Sequence, residues 1–273
     1  MKRTLYFLGA VAAVLACVII PYFAWHGTWF GRLLTDTELT EYLQDQEKSR
    51  RVQHALTQIA GLMDRRESSA TQWYEEVIRH SKHPTPQVRV TAAWVMGQDP
   101  TFDAFHQALL GMLPDDELLV RRNAALALVR FGDPSGLKEI RAMLLPYSVR
   151  APVDGEVDYL VSEGEEVHLG NPLVRVSRQG DLHEVRSPLS SSVQSLVLEP
   201  GTGVKAGTEL LTLYPDVSHV WESLRALALV GDTGELEVIR SIAEDPGFVP
   251  EVRDQAILTH EAIESRVGKE ADP

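Results

Sequence analysis

The amino-acid sequence predicts a chain that is mostly helical, with a small β-sandwich set among the helices and a single membrane-crossing helix ahead of both. Three observations carry this reading. A charge-free apolar run opens the chain, a helical marker recurs before and after residues 148–215, and a half-motif is written twice within that stretch.

The opening run comes first in the chain. Met1-Lys2-Arg3 is basic, and residues 5–25 carry no charge. A helix of about 20 residues, rising about 1.5 Å each, spans the roughly 30 Å of bilayer hydrocarbon. Residues 4–25 are therefore expected to form a transmembrane anchor. Lys2 and Arg3 favour a cytoplasmic N-terminus, and Tyr22, Trp25 and Trp29 suit the far interface. Membrane lipid is then one partner, the location is a bacterial-type inner (plasma) membrane, and the large domain is periplasmic or extracellular. A cleavable signal shares the basic start and apolar run. Val14-Leu15-Ala16-Cys17 also resembles a lipoprotein processing site, departing from that pattern at Val14 and Leu15. Apolar sequence continues for eight residues past Cys17, which favours an uncut anchor. Cys17 is the only cysteine, so no intramolecular disulfide can form.

Helices are expected over 35–146 and again over 216–267, with a disordered tail at 268–273. Their marker is a valine followed four residues later by a small or aliphatic residue: Val52 with Leu56, Val88 with Ala92, Val120 with Ala124, Val220 with Leu224 and Val252 with Ala256. The spacings are 36, 32, 100 and 32 residues. Removing the 68 residues 148–215 from the interval of 100 leaves 32, so those residues read as an insertion into a repeat array. A second echo agrees. Ala125-Leu126-Ala127-Leu128-Val129, Gly132-Asp133 and Leu137 to Arg141 match Ala226-Leu227-Ala228-Leu229-Val230, Gly231-Asp232 and Leu236 to Arg240. Each copy reads as helix, turn and amphipathic helix. Thr35 to Glu38 has capping-box form, and Ser69 to Gln72 is expected to cap a helix before Trp73. These units resemble HEAT-like repeats, whose helix pairs stack because neither helix buries its apolar face alone. The fold class implied is an α-solenoid of such repeats interrupted by a small β-sandwich.

The duplicated half-motif begins at Val149-Arg150-Ala151-Pro152 and again at Val185-Arg186-Ser187-Pro188. Val157, Leu160, Gly164, Val167, Gly170, Leu173 and Val176 find counterparts in Val193, Leu196, Gly201, Val204, Gly207, Leu210 and Leu213. Short β-branched runs broken by glycine turns make strands, and two equal halves make a flattened sandwich over 147–215. This pattern resembles the biotinyl/lipoyl attachment fold, or barrel-sandwich hybrid. The carrier members of that family present a lysine at the tip of the central hairpin, where it receives biotin or lipoate. The equivalent position here is Gly180, and Lys205, the only lysine of the module, stands elsewhere. Without an amine there is no amide-linked cofactor, so no cofactor is assigned and Gly180 is read as a tight-turn residue. Unlipoylated modules of this kind occur in periplasmic adaptor (membrane fusion) proteins. Those place a long helical hairpin between the half-motifs, whereas Ser177 to Glu184 alone joins them here.

A formal charge of −13 disfavours nucleic acid, whose phosphates want a basic face. The acids Asp154, Glu156, Asp158, Glu163, Glu165 and Glu166 read as a solvated edge, with a basic partner as the alternative. His80 and His83 lack a third ligand for zinc, and His168 and His183 read as surface residues. Ser190-Ser191-Ser192 reads as a turn, and no phosphate-loop, dinucleotide or zinc-protease motif occurs. Trp73, Trp94 and Trp221 are expected to pack between helices. No catalytic and no metal-ligating residue is assigned. The function expected is that of a membrane-anchored, non-catalytic scaffold or adaptor that binds another protein in the cell envelope. The alternatives are a HEAT-like lyase, a subunit of a modifying enzyme, or a degenerate carrier-type domain.

Overall fold

Apolar residues three and four apart fold residues 32–271, those that the computed structural model describes, into ten α-helices flanking eight strands. The chain divides at Thr71/Gln72 into two compact units.

In the first unit, α1 (Asp36–Leu43) and α2 (Ser49–Asp64) pack together. Thr35 Oγ accepts from the Glu38 amide, and the Glu38 carboxylate accepts from the Thr35 amide at 2.9 Å, forming a capping box. Arg32 pairs with the same carboxylate and, with those amide bonds, holds its pKa down to about 2. Residues Ser68–Trp73 form a 3₁₀ turn and supply no side-chain cap to the helix that follows.

The second unit begins with α3 (Tyr74–His80), α4 (Pro86–Met96), α5 (Asp103–Met112), α6 (Leu118–Val129) and α7 (Leu137–Ala142). It resumes after the strands with α8 (Val217–Val230), α9 (Leu236–Glu244) and α10 (Pro250–Ala271). Consecutive helices from α3 to α8 pack pairwise, α4 also packs on α6, α6 on α8, and α10 on both α8 and α9. Val88, Val120, Val220 and Val252 each lie in the first turn of a helix and are buried, as are Ala92, Ala124, Leu224 and Ala256 one turn on. The arginine after the valine fastens the preceding loop. Arg89 donates to the His83 carbonyl and forks onto Asp115 at 2.8 Å, while Arg121 donates to the Asp115 and Asp116 carbonyls and to Glu139.

Between α7 and α8 lie β1 (Tyr147–Arg150), β2 (Gly155–Tyr159), β3 (Glu166–Val167), β4 (Pro172–Arg178), β5 (Asp181–Arg186), β6 (Ser191–Leu196), β7 (Gly203–Val204) and β8 (Glu209–Leu213). They form two four-stranded antiparallel sheets, β1-β8-β6-β3 and β5-β4-β2-β7. Exchanging β1–β4 for β5–β8 turns one order into the other, so each sheet takes strands from both half-motifs. The equivalent turn residues Gly170 and Gly207 share φ +84°. Leu173, Val176, Val193, Leu210 and Leu213 fill the core, which Leu118 of α6 joins from the helical side.

The chain bridges its own excursion into strands. Arg141 of α7 pairs with Glu235 and Asp232 beyond α8, and Ser223 Oγ of α8 donates to the Ile140 carbonyl at 2.7 Å. Glu235 is 2% exposed, and its carboxylate accepts from Arg141 and from the Asp232 amide. Arg141→Ala is expected to lower unfolding stability by about 2 kcal/mol, below the 3–5 of a fully buried pair because Arg141 is half exposed. Urea titration of the two chains checks this. An unchanged midpoint would show that the amide alone satisfies Glu235.

The expected fold class is corrected. The described residues form an α/β chain of ten helices and two antiparallel sheets, in which no helix is long and apolar enough to cross a membrane. Residues 4–25, read as the anchor, lie outside the described residues. The inner-membrane placement, the periplasmic or extracellular side and the lipid partner rested on that anchor and are withdrawn with it. The 22 residues of α10 would reach about 33 Å, but Glu251, Arg253, Asp254, Glu261, Glu264 and Arg266 place charge toward both of its ends, and charge is costly in hydrocarbon. The same helix runs through the first part of the expected tail, to Ala271.

Candidate functional site

Helices α4, α6, α8 and α10 together line an open groove of about 770 Å³. Its apolar wall follows from helix geometry. α4 buries Val88, Ala92, Val95 and Met96. At 100° per residue, Trp94 projects away from that stripe and stands 46% exposed in the groove. Leu229, near the end of α8, is 65% exposed, and Leu126 lies between them in the chain of lining residues. Trp94 thus departs from the inter-helix packing role expected of it, while Trp73 is buried. Trp221 carries the Arg225 guanidinium 4.6 Å over its ring.

Among the charged residues lining the groove, two arginines face one acid. Arg130 is exposed and donates to Gln98 at 3.1 Å, and Arg225 lies 3.7 Å from Glu222, the one acidic residue among those lining the groove. Behind His219, which also lines it, lies Arg122 of α6, 3% exposed. Arg122 Nη1 donates to His219 Nδ1 at 3.0 Å, and its Nε has no hydrogen-bond partner. A buried guanidinium without a carboxylate at ion-pair distance costs stability, and burial pushes its pKa down against the pull of Glu139. Because Nδ1 accepts, the neutral imidazole carries its proton on Nε2.

Burial, and then the Arg122 charge, lower the His219 pKa, while Asp216 at 3.7 Å opposes them. The sign of the resulting pH dependence follows. The unfolded chain takes up this proton first as pH falls through the ordinary imidazole value of about 6.5, so His219 contributes stability above that pH and loses it below. His219→Gln, whose amide oxygen can still accept from Arg122, is expected to flatten the fall in stability between about pH 7 and 5. The limiting slope removed is about 1.4 kcal/mol per pH unit. Equal slopes for both chains in denaturant titrations would refute this.

The positions singled out in the sequence lie elsewhere. Gly180 occupies a two-residue turn between the paired Arg178 and Asp181, with φ +96° after Gln179 at φ +52°. A Cβ there would meet no atom within 4 Å, so a larger residue fits and the strain lies in the backbone alone. Lys205 instead pairs with Asp154 at 2.9 Å. Asp154 also accepts from the Ala206 amide, Glu163 from the Leu196 amide and Glu165 from the Ser162 amide, so half of the acidic cluster holds turns together.

A second cavity, of about 620 Å³, brings His168 and Ser190–Ser192 near Asp216 and Asp245. Ser191 Oγ donates to the Tyr214 carbonyl, and Ser190 Oγ accepts from the Leu169 amide. Both hydroxyls serve the backbone and neither is bonded to a base. His83 Nδ1 accepts from the Thr85 amide, beside the ring of His80. His183 is half buried on β5, opposite Val176. Among the described residues no group of three or more His, Cys, Asp or Glu is placed to hold a metal ion. The sequence reading missed Arg122, His219, Arg130 and Leu229. One signal was present: Arg122 interrupts an otherwise apolar face of α6 between Val120 and Ala125.

Neither a family model nor a curated protein matches the chain. Among solved structures, one of a single-chain, multi-domain long-chain acyl-CoA carboxylase is similar at 21% identity, with a TM-score of 0.26. The match covers 46% of this chain and 14% of that one. At that level the likeness carries no inference about activity.

Proposed function

We propose that the chain is a non-catalytic scaffold whose helices hold another protein. The observation that carries this reading is the open groove with Trp94 and Leu229 left in solvent. Exposed aromatic and aliphatic side chains gathered in one concavity, with arginines at the margin, have the make-up of protein-recognition surfaces. The use of Ser190 and Ser191 by the backbone supports the non-catalytic part of the reading. We also infer kinship with HEAT-like repeat proteins bearing a biotinyl/lipoyl-like β-domain. The buried valine markers and the exchange of strands between the half-motifs support it.

The test is crosslinking in the cells that make the protein, followed by mass spectrometry of the full chain. A single enriched partner crosslinked to residues beside the groove is the expected result, and the absence of any partner overturns the scaffold. The same spectra give the intact mass, expected to be that of the unmodified polypeptide. An added biotinyl or lipoyl mass would return the β-domain to the carriers.

A further inference from the structure

We propose that the groove takes a segment of a partner protein in which an acidic side chain stands beside a bulky aliphatic one. This rests on the scaffold reading and specifies the chemistry of the partner.

Charge complementarity selects the occupant. In a chain of net charge −13, the groove sets Arg130 and Arg225 against Glu222 alone. Arg225 is held at 3.7 Å from that acid and over Trp221, whereas Arg130 bonds the neutral Gln98 and, among the described residues, reaches no carboxylate within ion-pair distance. The donor beside them is fixed. Arg122 occupies His219 Nδ1, so the neutral imidazole has its N–H on Nε2 and no free ring acceptor for a ligand. An arriving group that accepts hydrogen bonds and carries negative charge gains most beside Arg130, which describes a carboxylate. The apolar half of the partner is set by Trp94, Leu126 and Leu229, which present an aromatic face and two aliphatic side chains to a residue entering between them. A lysine or arginine in the carboxylate's place would meet Arg130, Arg225 and the buried Arg122 charge with no free acid to offset them.

Arg122 then has a role that its cost to stability does not explain. It is a positioning residue: its hydrogen bond holds the His219 ring through Nδ1, and it is not among the residues lining the groove.

A random peptide display library panned against the full chain tests the proposal, with selected peptides remade and their affinities measured by anisotropy. The expected consensus places Asp or Glu next to Leu, Ile or Phe, with affinity falling as salt rises. Arg130→Glu and Leu229→Asp are each expected to weaken binding about tenfold or more. Both residues are exposed, so the variants should keep the wild-type circular dichroism; if one fails to fold, the other still decides. A basic or uncharged consensus overturns the proposal. So does a wild-type dimer in sedimentation that Leu229→Asp disperses, which would make a second copy the occupant. Peptides bound equally by both variants remove the groove assignment and leave the scaffold reading standing. No enriched peptide overturns the groove proposal, and together with no crosslinked partner it removes both readings.

Discussion

Gly136→Val is expected to lower the unfolding free energy by about 3 kcal/mol. Gly136 closes the 3₁₀ turn ahead of α7 and lies against α6. A Cβ at that point would sit 2.6 Å from Ala125 Cβ and 2.7 Å from Ala125 Cα. The second of these is backbone, which cannot swing aside, so the turn must lift from α6. The backbone of Gly136, at φ −84° and ψ 0°, is open to other residues, which makes the cost one of space. Gly132 is the control. It has φ +72° and nothing within 4 Å of a Cβ, so Gly132→Ala should cost about 1 kcal/mol, all of it conformational. Guanidinium titrations of the two variants compare them directly. Equal losses would show that α6 gives way more easily than close packing allows.

Gly155→Val is expected to cost at least as much and to act on the strands. Gly155 opens β2, paired with β7 and alongside β4, and its Cβ would fall 2.4 Å from the Ser177 carbonyl oxygen and 2.7 Å from Val176 Cγ1. The Val176 side chain fills the sandwich core and the Ser177 oxygen is main chain, so neither retreats without parting β2 from β4. A loss of about 3 kcal/mol or more follows from overpacking together with broken ladder bonds. Leu118 of α6 lies in the same core, and the helical signal should fall in the same transition as the strands. Separate transitions for helix and strand would show that Leu118 does not couple them. A midpoint equal to wild type would place β2 farther from β4 than the structure does.

Much of the architecture was legible in the chain because it is local. The valine markers and the Gly-Asp turns state where helices begin and end, since a helix repeats its environment every three or four residues. Asp133 and Asp232 accept from the Ser135 and Gly234 amides at 2.7 and 2.8 Å, as such turns require. The half-motif likewise states its strands through paired glycines, and Gly180 states its turn. The apolar run at 5–25 shows the limit of this approach. Hydropathy identifies a segment able to enter a bilayer, yet that segment lies outside the described residues, and no helix among them is long and apolar enough to cross a membrane.

The groove is another matter. Local periodicity was enough to specify which residues start helices and turn strands, and the Thr35 cap though not the one expected at Ser69 to Gln72, because those preferences act over a few neighbours. Arg122 meets His219 across 97 positions and Arg141 meets Glu235 across 94, and Trp94 stands in solvent because of how α4, α6 and α8 lie beside one another. Such encounters arise when separate helices pack, and that packing is the sum of many small apolar contacts that no single stretch of the chain contains.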